Sequence, residues 1–244
     1  MPIKNRDYDL TLDLLQQYRD AALKNAQALL EEASLLLEHG HHARAYFLSA
    51  SSIEEAGKAV QAFEGLGKNI KDPAVTQRLK FQFEDHSQKV AYAFSPWLRV
   101  TPNLREEIMT FVNRTVDLKF GREASMYTDI NTEREIVTTP QMQVAQKTAA
   151  SCVRLAATVL SYVRPYAQQA QPKITTRIQD DFFAIKPAIF RKMANTADFW
   201  EYYISQIEQG KTALEATVTE YNQRYFSKGK VFKPADNVEK GSDV

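Results

Sequence analysis

The chain has 244 residues, of which 44% are hydrophobic and 25% are charged, a balance typical of globular proteins. Its 31 Lys and Arg residues against 30 Asp and Glu residues leave a net charge of +1, which gives no general sign of nucleic-acid binding. The single cysteine, Cys152, excludes an intrachain disulfide framework and is typical of a reducing compartment. Without a signal peptide or a run of roughly 18 apolar residues, the sequence predicts a soluble, cytoplasmic protein that does not enter a membrane.

Apolar residues recur at a helical period through most of the first 170 residues, and only 8 glycines and 9 prolines interrupt the whole chain. A polar stretch from Gly121 to Pro140 is predicted to be irregular, and strand signals are weak throughout the chain. The period predicts five helices, over about 9–38, about 43–63, from Pro73 to a break framed by Pro96 and Pro102, about 104–119, and about 140–166.

A segment containing Gln and Pro, 167–173, is the best candidate for a domain boundary. Beyond it we predict shorter helices over about 175–185, 187–209 and 212–226. The last of these begins at a capping box formed by Thr212 and Glu215. The prediction is therefore an all-α fold with a helical bundle over residues 1–172, a C-terminal helical region over 173–228 and a disordered tail over 229–244.

The second predicted helix breaks two local rules within four residues. Glu54 lies close to an apolar stripe, where a carboxylate is costly to bury unless it is paired. Gly57 costs about 1 kcal/mol against alanine inside a helix, which indicates a close approach by another part of the chain. The simplest interpretation pairs Glu54 with Lys58 and leaves Glu55 in solvent. The alternative is a buried polar network.

Three motifs in this chain resemble those of the AbiV abortive-infection proteins, which belong to the HEPN superfamily. The segment Ile53-Glu-Glu-Ala-Gly-Lys-Ala59, preceded by Arg44-Ala-Tyr-Phe-Leu48, resembles the family's Glu-Glu-x-Gly-Lys helix. Asp85-His-Ser-Gln-Lys89 resembles its His-x-x-Lys segment. Arg122-Glu-Ala-Ser-Met-Tyr-Thr-Asp129 resembles its segment that ends in Tyr-x-Asp. The motifs come in the family's order, and the resemblance covers about residues 10–165.

The resemblance implies a HEPN-type up-and-down helical bundle, a homodimer, and a role in defence against phage. Many HEPN proteins are metal-independent ribonucleases that use an Arg followed four to six residues later by a His. An imidazole can move a proton to or from the 2′-hydroxyl or the leaving 5′-oxygen of RNA. A guanidinium can stabilise charge on the phosphate.

This sequence departs from that pattern, because the position five residues after Arg122 holds Tyr127. A phenol, which ionises near pH 10, is a poor general base in neutral solution. A ribonuclease would therefore need His86 from another helix. The predicted catalytic set is Arg122, His86, Glu54 and Tyr127, with Glu55, Lys58, Lys89 and Asp129 as a supporting network and with neither a metal ion nor a cofactor.

Each of these residues also has a structural interpretation. His86 suits a buried core position with both ring nitrogens satisfied. Arg122 suits a contact with the carbonyl end of the fourth helix, and Tyr127 suits a packing anchor. The Glu38-x-x-His41 spacing of di-iron bundles occurs once, at a helix end beside Gly40, and is best explained as a solvated turn.

The C-terminal region is rich in aromatic residues with basic residues between them. Core packing explains this pattern most simply, and a protein or nucleic-acid interface is the alternative. Two functions follow from the sequence. The first is a phage-defence protein that acts on host RNA or translation, or that a phage protein triggers. The second is a non-catalytic helical module for protein interaction.

Overall fold

The computed structural model describes residues 8–101, 117–118, 121–133, 135–211 and 213–233. The prediction of an all-α fold is confirmed, because a short β-hairpin is the only strand structure among these residues. The helices are α1 (Leu12–Glu38), α2 (His42–Gly65), α3 (Pro73–Gln82), α4 (His86–Leu98), α5 (Pro140–Gln143), α6 (Gln146–Ala167), α7 (Arg177–Ala184), α8 (Pro187–Ala194), α9 (Ala197–Glu208) and α10 (Leu214–Arg224), followed by a 3-10 turn (Phe226–Lys228).

The described residues fall into two compact units. Unit 1 takes its residues from Met1–Gly67 and Leu79–Lys173, and unit 2 from Lys68–Arg78 and Ile174–Val244. The division after Lys173 lies one residue from the predicted domain boundary. The segment Lys68–Arg78 belongs to unit 2, although the predicted boundary placed it with the bundle.

Helix α2 is the centre of unit 1 and packs against α1, α4 and α6. It is buried on most sides, and its six buried alanines allow neighbouring helices to approach closely. The buried hydroxyl of Ser52 donates to the carbonyl oxygen of Ala26 on α1 at 2.7 Å, which satisfies a polar group inside the core.

The close approach inferred from Gly57 lies between α2 and α4. A Cβ atom at this glycine would overlap the carbonyl oxygen of Lys89 and lie 2.6 Å from its carbonyl carbon. Only glycine lets the two backbones cross at this separation, so the residue fixes how close α4 lies to α2.

The third predicted helix is two helices, because the chain turns between Gln82 and His86. Asp85 begins the second of them: its side chain accepts hydrogen bonds from the backbone N–H of Gln88 at 3.0 Å and from the amide of Gln88 at 3.2 Å. Pro96, expected to mark a break, lies inside α4, two residues before its end. The predicted helix over 104–119 lies outside the described residues except for 117–118, which are helical.

The predicted irregular stretch after residue 120 holds regular structure. Residues 121–124 are helical. They are followed by an antiparallel hairpin of β1 (Asp129–Asn131) and β2 (Ile136–Thr138), in which Ile130 pairs with Val137. Both of these apolar side chains are exposed. The alternation of inward and outward residues that identifies a strand is therefore missing, which explains why the strand signals of the sequence are weak.

In unit 2, a core of aromatic side chains joins the short helices. Its buried members are Met193, Phe199, Tyr202, Val218, Tyr221 and Phe232. Phe232 lies in the predicted tail, of which residues 234–244 are outside the described part. The predicted helix over 187–209 is the pair α8 and α9, with Thr196 as the N-cap of α9.

Helix α10 begins at Leu214, after the N-cap Ala213, whereas the predicted capping box of Thr212 and Glu215 put the start at Thr212, which lies outside the described residues. A capping box does occur at the start of α7. There Thr176 accepts from the backbone N–H of Gln179, and the Gln179 side chain accepts from the backbone of Thr176.

Candidate functional site

A single carboxylate, that of Glu54, organises a polar cluster on the surface of unit 1. Its side chain is only 12% exposed, and each of its oxygens has a cationic or imidazole partner. Oε1 accepts from Arg122 Nη1 at 2.9 Å, and Oε2 lies 2.7 Å from His86 Nδ1. The cost of burying the carboxylate is thus offset by two charge-assisted hydrogen bonds.

The predicted pairing of Glu54 with Lys58 is wrong. Lys58 bonds instead to Glu55, three residues before it, in an ion pair that leaves both side chains largely buried. Glu54 instead belongs to a polar network, the alternative interpretation, in which its partners His86 and Arg122 come from two other segments of the chain.

His86 is the first residue of α4, directly after the N-cap Asp85, and its side chain is 57% exposed. The structure therefore does not place it in the core. Because Nδ1 faces a carboxylate oxygen at 2.7 Å, we assign the proton of the neutral ring to Nδ1. Arg122 Nη1 lies 3.1 Å from the same nitrogen and, as a donor, has no lone pair to accept this proton. The lone pair of the neutral ring is then on Nε2.

Arg122 belongs to the helical turn 121–124, and its side chain is 29% exposed. The hydroxyl of the fully buried Ser125 donates to the Arg122 carbonyl oxygen at 2.7 Å, which fixes the end of this turn. The contact with Glu54 uses Nη1, and a guanidinium carries five N–H donors in a planar fork. The geometry therefore leaves donors for an oxyanion such as phosphate.

These three side chains border a small pocket with a volume of about 120 Å³. This volume is well below the roughly 300–1,000 Å³ of pockets that enclose whole small molecules. The pocket thus suits one chemical group of a larger ligand that remains outside. Its other walls come from Ala50, Ser87, Val90, Leu118 and Glu123, none of which was predicted to be a site residue.

Tyr127 does not join this cluster in the structure. Its side chain is 58% exposed, and within the described part of the chain its only hydrogen bond is a backbone one, to the carbonyl oxygen of Glu123. Asp129 begins the hairpin and is exposed, with its carboxylate bonded to the backbone N–H of Ile130. Lys89 is buried, and its backbone forms the crossing with Gly57.

A second carboxylate cluster on α2 was missed by sequence reasoning. Glu64 Oε1 accepts from Arg99 Nη2 at 2.6 Å and from the Tyr166 hydroxyl at 2.9 Å, and Arg99 also bonds to that hydroxyl. Burial, and then the negative charge of Glu64, raise the pKa of Tyr166 to about 12. The cluster joins the ends of α2, α4 and α6.

Two further findings bear on the predicted function. Within the described ranges, no three His, Cys, Asp or Glu side chains are arranged to hold a metal ion. None of the described helices is both long and apolar enough to cross a membrane.

Comparison with known proteins gives one match. No curated protein sequence and no solved structure matches the chain. The sequence model of the AbiV family, a HEPN-type family, matches residues 14–161, which is more than half of the chain and includes Glu54, His86 and Arg122. The chain therefore belongs to the AbiV family of HEPN-type abortive-infection proteins.

Proposed function

We propose that this protein defends its host against phage by cleaving RNA, and that Glu54, His86 and Arg122 form the site. The observation that carries the proposal is the convergence of the three side chains, from α2, α4 and the turn 121–124, within 2.7–3.1 Å of one another. A proton-transfer group and a phosphate-binding group held at one pocket are the parts that RNA cleavage without a metal ion requires.

In the proposed reaction, Arg122 binds the non-bridging oxygens of the scissile phosphate. His86 Nε2 takes the proton of the 2′-hydroxyl, while Glu54 holds the ring through Nδ1. The 2′-oxygen forms a bond to phosphorus and the bond from phosphorus to the 5′-oxygen breaks. The products are a 2′,3′-cyclic phosphate and a 5′-hydroxyl, whose proton comes from the imidazolium or from water.

The pocket size supports this assignment. A volume of about 120 Å³ suits a phosphate group, while the rest of the RNA chain lies outside on the surface. The missing His after Arg122 does not count against the proposal, because His86 reaches the same guanidinium from another helix.

The test is cleavage of single-stranded RNA by the purified protein in the presence of EDTA. We expect cleavage to persist with EDTA. We expect His86→Gln to reduce its rate about 100-fold or more, the usual contribution of a general base. We expect Arg122→Lys to reduce it by a similar factor, the usual cost of losing a donor that stabilises charge in the transition state. The matched control is Arg99→Lys, which changes the guanidinium paired with Glu64, another carboxylate of α2, and should keep the rate.

The outcome that contradicts the proposal is wild-type protein that protects cells from phage but cleaves no RNA under these conditions. Equal activity of the His86 and Arg122 variants with wild type would contradict it as well.

We also propose two partners. A homodimer follows from the family resemblance. A phage protein that triggers the defence follows from the abortive-infection role. Such a trigger is consistent with the exposed apolar side chains near the hairpin, because exposed apolar surface marks sites of protein interaction. Those side chains are Met126, Tyr127, Ile130, Ile136, Val137 and Met142.

The same exposed surface supports a second candidate function, a non-catalytic module for protein interaction. In that case Glu54, His86 and Arg122 would hold α2, α4 and the turn 121–124 together. RNA cleavage with the variants above separates the two functions.

A further inference from the structure

The side chain of Tyr46 contacts the segment that carries Arg122. Tyr46 lies on α2 two turns before Glu54 and is buried. Its hydroxyl donates to the carbonyl oxygen of Asp117 at 3.1 Å. On the same segment, a Cβ atom at Gly121 would lie 2.7 Å from the Tyr46 Cζ atom and nearer still to its hydroxyl oxygen.

These contacts mean that the phenol ring of Tyr46 lies directly against the backbone of Gly121, which has no side chain. Real Cβ atoms do not approach ring atoms this closely, so only glycine at position 121 permits the contact. The next residue in the chain is Arg122. The distance between Gly121 and the Tyr46 ring therefore sets the position of the Arg122 backbone.

The spacing on α2 explains why this position matters. Tyr46 and Glu54 are eight residues apart, about 12 Å along a helix. The backbone before Arg122 lies against the tip of the Tyr46 side chain, and the Arg122 guanidinium bonds to Glu54 Oε1 at 2.9 Å. A long side chain anchored at both ends has little freedom, and a shift of its backbone would draw the guanidinium away from Glu54 and His86.

We infer that Tyr46 is a positioning residue for Arg122, and that the pair Tyr46 and Gly121 sets the phosphate-binding geometry of the site. The inference rests on the proposed function in so far as the ligand of Arg122 is a phosphate group of RNA. Tyr46 does not line the pocket of Glu54, His86 and Arg122, so its effect on that pocket passes through Gly121.

The test uses a steric swap. Gly121→Ala places a methyl group against the Tyr46 ring and should displace Arg122. The double variant Gly121→Ala, Tyr46→Leu removes the ring and should restore the position. Gly65→Ala is the matched control, because the added Cβ there would lie 3.5 Å or more from the side chains of Leu15 and Leu79, an ordinary contact.

Two readouts are taken on full-length protein. The first is the ¹⁵N spectrum of the His86 ring without ligand, assigned by comparison with His86→Gln, which reports whether Arg122 still lies beside Nδ1. The second is the affinity for inorganic phosphate, followed through the same His86 signals. We expect Gly121→Ala to alter the spectrum and weaken phosphate binding about tenfold or more, as loss of a charge-assisted hydrogen bond implies. The double variant should recover both, and Gly65→Ala should change neither.

The two proposals fail separately. If Gly121→Ala leaves the His86 spectrum and the phosphate affinity at wild-type values, Tyr46 is not a positioning residue, while phosphate binding by wild type still supports the proposed function. If wild type binds no phosphate but the spectrum changes in Gly121→Ala and recovers in the double variant, the positioning role stands and the proposed function does not.

If Gly121→Ala fails to fold, the Tyr46 variants decide the matter. Tyr46→Leu should alter the His86 spectrum, because it removes the ring that limits the approach of Gly121. Tyr46→Phe keeps the ring and should retain the wild-type spectrum more closely than Tyr46→Leu. Identical wild-type spectra from both variants would overturn the inference.

Discussion

The carboxylate of Glu54 is shared between a permanent cation and an imidazole, and the two partners differ in how much water surrounds them. Arg122 is partly buried, whereas more than half of the His86 side chain faces solvent. Ion pairs that water reaches contribute little to stability, and partly buried ones contribute more. His86 and Glu54 are therefore expected to respond differently to truncation.

We predict that His86→Ala lowers the unfolding free energy by less than about 1 kcal/mol, the range of exposed pairs. Glu54→Ala should lower it by about 1–3 kcal/mol, because it leaves the Arg122 guanidinium without its acceptor. Both variants should lose protection against phage. Urea denaturation and a plaque assay measure the two quantities. Loss of several kcal/mol in His86→Ala would mean that the histidine has a structural role.

Asp198, at the start of α9, gives unit 2 a dependence on pH. Burial raises the pKa of its carboxyl group, but hydrogen bonds from Tyr221, from Thr196 and from the backbone of Phe232 outweigh burial and bring it below its ordinary value of 3.8. A lowered pKa in the folded state means that the contribution to stability is present above pH 3.8 and is lost as the pH falls through the folded-state value.

We therefore predict that unit 2 becomes less stable as the pH is lowered through and below 3.8, and that Asp198→Asn weakens this dependence. Near-ultraviolet circular dichroism of the tyrosines across the acid transition provides the measurement, with Asp181→Asn as the matched control on another helix of the same unit. An acid transition that is the same in Asp198→Asn and wild type would contradict the prediction.

The contact between Arg122 and His86 could not be predicted from the spacing of a sequence motif. The usual HEPN ribonuclease motif has Arg and His within one short segment, but here the two residues are 36 positions apart and meet through tertiary packing. The break in helical rules at Glu54 and Gly57 indicated a packed polar network. It did not identify the partners, because the apolar period of α2 is the same whichever segment lies beside it.

At the scale of elements, helix α2 carries residues of both carboxylate clusters and of the Arg122 contact, namely Glu54, Glu64 and Tyr46. It also carries Gly57, which lets the backbone of α4 contact the backbone of α2. Because His86 is the first residue of α4, the same crossing fixes how far the imidazole lies from Glu54.

Gly57→Ala is expected to destabilise the protein by about 2–3 kcal/mol or more, at the upper end of overpacking effects, because the methyl group meets the Lys89 backbone and not a movable side chain. Gly65→Ala in the same helix should be neutral or stabilising by up to about 1 kcal/mol, since alanine favours helix. Thermal unfolding of the two variants beside wild type is the measurement. Equal stability of Gly57→Ala and wild type would show that the crossing has room to open.

Long helices could be predicted from the sequence, whereas their ends often could not. One apolar period runs through Val75, Leu79 and Phe83, although α3 ends at Gln82. Phe83 continues the period because it packs against Tyr18 just after the end of the helix. The Asp85-x-x-Gln88 cap carried the missing signal, because an acidic N-cap with Gln three residues later marks a helix start. The hairpin was missed because its apolar residues are exposed.

The whole molecule is expected to act as a homodimer. Light scattering should give about twice the chain mass of 27.8 kDa at micromolar concentration, with the mass falling toward that of one chain on dilution. Since HEPN-type proteins are often dimeric, the expectation follows from membership of the family. A mass of 27.8 kDa at every concentration tested would exclude it.

The assignment of Lys68–Arg78 to unit 2 has a consequence for biosynthesis. Within that unit, the Asn69 backbone donates to the buried carboxylate of Asp180 at 3.0 Å, and the Lys68 ammonium lies 4.1 Å from the centre of the Phe183 ring. The ribosome synthesises residues 68–78 about a hundred residues before it synthesises their partners Asp180 and Phe183. At 5–20 residues per second that delay is roughly 5–20 s. During translation, unit 2 therefore cannot complete its folding until the end of the chain has been synthesised, even if the rest of the protein has already folded.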